Sequence, residues 1–228
     1  MEALSGRRGQ AARNDVTILD AARAVLTADP TAPVSAVAQA AGVGISALYR
    51  RYPSKEALLG QLCLDGLREY LVVAREAQQH SDPWEAFATF VRGIVASDVH
   101  GLTVNLAGRF VPTDEHRDLA AESGRLAAKI LATAHAAGVV REDLDPQDLA
   151  MIWEQLTAIR LGDAERTAAL RRRYVEIHLQ GLRPGPAALP ESPPTSAELG
   201  ARWVPLRITE GAPSVGRTQP AESTSARS

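Results

Sequence analysis

Val37-Ala38-Gln39-Ala40-Ala41-Gly42-Val43-Gly44-Ile45-Ser46-Ala47-Leu48-Tyr49-Arg50-Arg51-Tyr52-Pro53-Ser54-Lys55-Glu56-Ala57-Leu58 is the stretch that decides the fold. A short helix is predicted from Ser35 to Ala41. Gly42 ends it, because glycine enters the left-handed conformation without steric cost. A second short helix then runs from Ile45 to Arg51. Two short helices across a glycine turn form a helix-turn-helix pattern. Ala38 has to be small where the second helix crosses it. Val37, Val43 and Leu48 are the apolar pegs that join both to a preceding helix at 15–28. That helix is capped by Asn14 or Asp15 and buries Ile18, Ala22, Val25 and Leu26.

The residues left facing outward suit a nucleic acid. Ser46 and Ala47 are small enough to let the helix sit deep in a major groove. Tyr49 and Arg50 carry a hydroxyl and a guanidinium that reach phosphates. Ser54 caps the next helix, and Lys55 sets a charge beside its free N–H groups, an anion-binding arrangement. Taken alone, the same pattern also describes a helical hairpin with solvated charges.

Further along, prolines and carboxylates mark helix starts. Asp82-Pro83-Trp84-Glu85 and Asp145-Pro146-Gln147-Asp148 place Asp at the N-cap and Pro at the first helical position. Apolar residues recur at three- and four-residue spacing, as in Leu59, Leu62, Cys63, Leu67, Tyr70, Leu71 and Ala74. The predicted helices are 15–28, 35–41, 45–51, 55–79, 83–99, 102–110, 114–137, 146–161 and 164–181. No segment alternates as a strand does, so the fold class is all-α.

The run 37–58 resembles the TetR family of bacterial transcriptional regulators. The resemblance is carried by the Ala41-Gly42-Val43 turn, Leu48-Tyr49, Tyr52 and Pro53-Ser54-Lys55-Glu56-Ala57-Leu58, and covers roughly residues 11–70. It implies an N-terminal three-helix helix-turn-helix DNA-binding domain and a larger C-terminal helical ligand-binding and dimerisation bundle. It also implies DNA contacts at Ser35, Gly44, Ile45, Ser46, Ala47, Tyr49, Arg50 and Lys55. Gly44 stands where the family usually has Ser or Thr, and Ala47 where Thr is common. Each departure removes a hydroxyl. The implied partners are a pseudo-palindromic double-stranded DNA operator, a small-molecule effector of unknown identity, and a second copy of the chain. The homodimer would form through the eighth and ninth predicted helices, with Leu149, Ile152, Trp153, Leu156, Ile159, Leu170, Tyr174, Ile177, Leu179 and Gly181 as contact residues.

On this reading the chain divides into four parts. Residues 1–13 form a flexible arm and 14–59 the DNA-binding domain, with the helix-turn-helix at about 33–52. Residues 60–183 form the effector and dimerisation domain. Residues 184–228 form a disordered tail, because eight of the 14 prolines fall there and its apolar residues are scattered. Only Trp203 to Ile208 offers the tail a docking segment. Larger or polar residues of the central helices are the effector-site candidates: Phe87, Phe90, His100, Asn105, Arg109, Phe110 and Trp153. Arg171-Arg172-Arg173 reads as a solvated helix face.

Composition supports this picture. Of the 228 residues, 45% are hydrophobic but only 4% aromatic, so the core is aliphatic and favours close-packed helices. The net charge of −2 divides into +2 over residues 1–60, −5 over 61–182 and +1 beyond. The N-terminal end is the one suited to a polyanion. The one cysteine, Cys63, excludes an intrachain disulfide and a multi-cysteine zinc site. No apolar run reaches the roughly 18 residues of a membrane span. No secretory signal is expected, and a cytoplasmic location without a membrane partner is. Histidines 80, 100, 116, 135 and 178 lack metal-ligand spacing, so neither metal, cofactor nor catalytic group is expected. The leading function is a ligand-responsive, homodimeric DNA-binding repressor. The alternatives are an activator, or a helical small-molecule-binding module that does not act on DNA.

Overall fold

The computed structural model describes residues 2–203, with side chains from residue 15 onward. Ten helices and no strand occur among these residues: α1 (Glu2–Ala28), α2 (Val34–Ala40), α3 (Ile45–Arg51), α4 (Lys55–Ala77), α5 (Pro83–Ser97), α6 (Val99–Leu106), α7 (Asp114–Ala136), α8 (Pro146–Thr157), α9 (Ala164–Gly181) and α10 (Ser196–Ala201). Three of the expected N-caps form, while the one expected at Asn14 or Asp15 does not, because both positions lie inside α1. Ser54 Oγ accepts from Ala57 N, Asp82 from Glu85 N, and Asp145 from Gln147 N. Each satisfies a backbone donor that the first helical turn leaves free.

Two apolar cores share one helix. Ile18, Ala22, Leu26, Val37, Leu48, Leu58, Leu59 and Leu62 form the first, joined by Leu102 and Leu106 of α6. Phe87, Phe90, Ile94, Ile130, Leu149, Trp153, Leu156 and Leu179 belong to the second. The first half of α4 packs into the first core, and Ala74 and Ala77 at its far end pack into the second. α4 therefore packs into both cores.

Departures from expectation have local causes. The N-terminal arm expected to be flexible is the start of α1, which runs from Glu2. Its Ala- and Arg-rich residues favour helix. The helix predicted at 102–110 starts earlier, at Val99, and stops at Leu106. Asp98 takes a left-handed conformation (φ 53°) and breaks α5 from α6. That conformation is held from outside. Arg171 Nη1 lies 3.0 Å from Asp98 Oδ2, while its Nη2 donates to Thr157 O at 2.6 Å and its Nε to Ile159 O at 3.3 Å. Arg171 is thus buried rather than part of a solvated face, whereas Arg172 and Arg173 are exposed.

The tail departs furthest. Disorder is expected from residue 184, yet residues through Trp203 lie against the bundle. Arg141 Nη2 donates to Ala187 O (2.9 Å), and Leu189 N donates to Asp143 Oδ2 (2.6 Å). Gln147 Nε2 donates to Ser196 Oγ (2.7 Å), and Arg202 pairs with Glu154. Trp203 meets Phe110 edge-on, with ring centroids 6.2 Å apart. The tail lacks an amphipathic period because polar side chains of the bundle hold it one by one. The part of the tail at 204–228 lies outside the described residues.

Candidate nucleic-acid interface and ligand cavity

At the N-terminal end, Gly42 adopts φ +65°, the left-handed conformation the turn requires. Its N–H donates to Gln39 O at 3.1 Å, and Val43 N donates to Ala38 O at 3.0 Å, closing α2. Val37, Ala38 and Leu48 are buried and fix α3 against α1 and α2. Gly44 is the N-cap of α3 and supplies no side-chain bond.

The eight sequence-chosen contact residues are spread over α2, α3 and the start of α4. Ser35, Gly44, Ile45, Ser46, Tyr49 and Arg50 are exposed or half-exposed, and Ala47 is half-buried. Tyr49 is 45% exposed. Lys55 is arranged differently from the free charge expected. Its Nζ donates to Ala32 O at 2.6 Å and to Thr31 O at 3.2 Å, tying the first turn of α4 to the α1–α2 connection. Asp29 braces the same connection, accepting from Thr31 N and Thr31 Oγ1, and these bonds hold its carboxyl below the usual range. Arg51 pairs with Asp15 at 2.6 Å while its side chain stays exposed. Arg50 carries the cation of α3 that has no protein partner among the described residues.

A cavity of about 670 Å³ lies among α4, α6, α7, α8 and α10. Of the seven effector candidates, His100 and Trp153 line it. Phe87 and Phe90 do not; both are fully buried core residues, with Phe90 set edge-on to Tyr70 and Trp153 behind the cavity wall. Arg109 and Phe110 line a separate groove of about 610 Å³, and Asn105 lines neither. The seven are therefore not one site.

Sequence reasoning missed Tyr70, Thr103, His116, Ser123 and Glu154 among the lining residues. One signal was available: Gly66 of α4, where a Cβ would lie 3.4 Å from Thr103 Oγ1, lets α6 approach α4 at the cavity edge. His116 has a fixed role. The Gly60 carbonyl can only accept, so Nε2 carries the proton and donates to it at 2.9 Å. Nδ1 accepts from Thr113 N at 3.2 Å. The ring thereby joins α7 to α4. Burial pushes the Cys63 thiol up to about 12 and raises the Tyr70 phenol as well. The His100 ring, 3.8 Å from Glu154, and the Arg202 guanidinium hold the Glu154 carboxyl below its ordinary range. Among the described residues, no group of three or more His, Cys, Asp or Glu is placed to hold a metal, and no helix is long and apolar enough to cross a membrane.

Residues 18–62 match the family model described as bacterial regulatory proteins, tetR family. Residues 82–184 match the model described as the C-terminal domain of SbtR-like transcriptional regulators. Several solved structures share the fold. A TetR transcription regulatory protein from Mycobacterium vanbaalenii is 28% identical, with 77% of this chain and 98% of that one covered and a TM-score of 0.53. The TetR regulator SCO0520 from Streptomyces coelicolor is 23% identical, with 75% and 98% covered and a TM-score of 0.52. The ketosteroid transcriptional regulator KstR2 of Mycobacterium tuberculosis is 19% identical, with 76% and 96% covered and a TM-score of 0.57. No curated protein matches the chain.

Proposed function

The chain belongs to the TetR family of DNA-binding transcriptional regulators, and on that footing we propose that it is a homodimeric repressor released from its operator by a small molecule. The observation that carries this reading is the reach of α4. Its first turn is bonded to the loop that sets α2, and Cys63, Gly66, Leu67 and Tyr70 on the same helix line the cavity. A ligand that shifts α4 therefore moves the DNA-binding end with it. In a two-fold dimer the recognition helices must match half-sites about 34–36 Å apart, so a displacement of a few ångströms breaks register.

Ser46, Tyr49 and Arg50 are the proposed groove and phosphate contacts. Lys55 serves twice, holding the α1–α2 connection and presenting its remaining charge to the DNA backbone. Dimerisation is assigned to α9 and the outer side of α8. Tyr174 and Ile177 on α9 are 42% and 54% exposed and one turn apart. Leu149, Trp153, Leu156 and Leu179, which the sequence suggests for this interface, are intrachain core.

The test begins with fragments of the native genome selected on the immobilised protein. Fluorescence anisotropy then measures binding to the enriched duplex across a salt series. Two chains per site and affinity that falls steeply with salt are expected. A protein that binds no duplex while still taking up apolar ligands is a sequestering module instead.

A further inference from the structure

The matched C-terminal family domain ends at residue 184, but the wall of the cavity does not. Leu199, Gly200, Arg202 and Trp203 line it. α10 is fastened to α8 at both ends, by Gln147 with Ser196 and by Glu154 with Arg202. These pairs are separated by similar lengths on the two helices, about 10 Å each, so α10 runs parallel to α8 along the cavity. Trp203 then crosses to Phe110, which packs on His116 at 5.1 Å.

The chemistry of the lining is specific. Its charged groups are already paired, Arg202 with Glu154 and Arg117 with Asp114. Much of the remaining surface is apolar, from residues such as Leu67, Val99, Val104 and Ala127. Against this stands an unpaired donor. Trp153 is 3% exposed, and its indole N–H has no partner among the described residues. Gln147 likewise leaves its carbonyl oxygen unpartnered, whereas His100, with its ring 5.3 Å from Trp153, faces Glu154 with Nε2 at 3.8 Å. Buried polar groups are seldom left unpaired, and here two belong to residues lining one cavity.

We propose that residues 199–203, held in place by the segment from residue 186, form a wall of the ligand site, and that the completed site takes a neutral, mainly apolar small molecule carrying an oxygen acceptor for the Trp153 indole N–H. This rests on reading the cavity as the effector site. The volume falls within the range of about 300–1,000 Å³ usual for small organic ligands. An ionic ligand would enter a lining whose counter-charges are already taken, and would lose its hydration without return.

Two naphthalene probes test this. One is 6-propionyl-2-(dimethylamino)naphthalene, a neutral ketone. The other is 1-anilinonaphthalene-8-sulfonate, an anion of similar bulk. The full chain should bind the ketone with blue-shifted emission, about tenfold tighter or more than the sulfonate. Trp153→Phe should weaken ketone binding about threefold to tenfold, the worth of one hydrogen bond. A chain ending at Gly185 should lose about tenfold or more. Should that truncation misfold, Trp203→Ala in the full chain carries the same test. Preference for the sulfonate, affinity unchanged in both variants, or tighter binding on truncation would overturn the proposal; the last would make the segment a plug. Duplex binding measured on the same samples separates the outcomes. Loss of ketone binding by the full chain with duplex binding intact overturns this proposal alone, whereas absent duplex binding in the full chain overturns the regulator reading.

Discussion

Arg171→Met removes a guanidinium that ties three elements together while keeping its aliphatic stem. The lost contacts are the 3.0 Å pair with Asp98 and the bonds to Thr157 O and Ile159 O. Stranding one partner of a buried pair costs about 3–5 kcal/mol. The side chains of Arg171 and Asp98 are 11% and 23% exposed, so water screens part of the loss. The lower end, about 3 kcal/mol, is expected. For a chain of this length that corresponds to a midpoint lowered by about 6–12 °C. Asp98 also loses the group that holds its left-handed conformation at the α5–α6 break, so α6 should loosen first. Arg172→Met and Arg173→Met, on the exposed side of α9, should change stability by no more than about 0.5 kcal/mol. The assays are thermal and urea unfolding followed by far-ultraviolet circular dichroism. Chain concentration is held fixed, because dimerisation contributes to the midpoint. The double variant Asp98→Asn with Arg171→Met should cost less than the sum of the single changes. If Arg171→Met behaves like Arg172→Met, the proposed hub at Asp98 does not stabilise the fold.

Other consequences are equally direct. In Gly101→Ala the new Cβ would lie 2.8 Å from the Thr157 side chain and from Asp98 Oδ1. Such overpacking should destabilise by about 1–3 kcal/mol, read as a lower urea midpoint. Cys63, with its thiol raised to about 12, should resist iodoacetamide at pH 8 in the folded protein and react at the ordinary rate in urea. Asp143 is held below its ordinary 3.8 first by Arg141 and then by Leu189 N–H. A depressed carboxyl stabilises above its unfolded value and loses that contribution as pH falls through the folded one. The hold on residues 187–189 should therefore persist at pH 5 and weaken only as pH falls below the ordinary carboxylate range, seen as lower amide protection factors there. Protection already lost at pH 5 would contradict this assignment.

The order of α1 to α9 and most of their starts were legible because those signals are local. Asp82-Pro83 and Asp145-Pro146 start helices in any context, and Gly42 ends one. The helix-turn-helix surface was legible for the same reason, since exposure on a seven-residue helix follows from which positions are pegs. What could not be read depends on partners distant in the chain. Arg171 differs from Arg172 only in facing Asp98, 73 residues earlier. Phe87 and Phe90 share the spacing of a pocket lining, but that spacing encodes burial, and the cavity opened beside Trp153 instead. Lys55 has the pattern of a free charge, but its two carbonyl acceptors lie on the α1–α2 connection, more than 20 residues away. The order of residues 186–203 rests on Arg141, Asp143, Gln147 and Glu154, so the tail's own composition could not reveal it.

Operator binding by Arg50→Ala, measured by anisotropy at several salt concentrations, tests the central claim most directly. Arg50 is exposed on α3 and bears on no core contact, so the fold should be unchanged. The account predicts weaker binding to operator and random duplex alike, with the slope of log affinity against log salt reduced by about 1, as for one lost phosphate contact. Unchanged affinity and unchanged slope would place the DNA elsewhere and contradict the account.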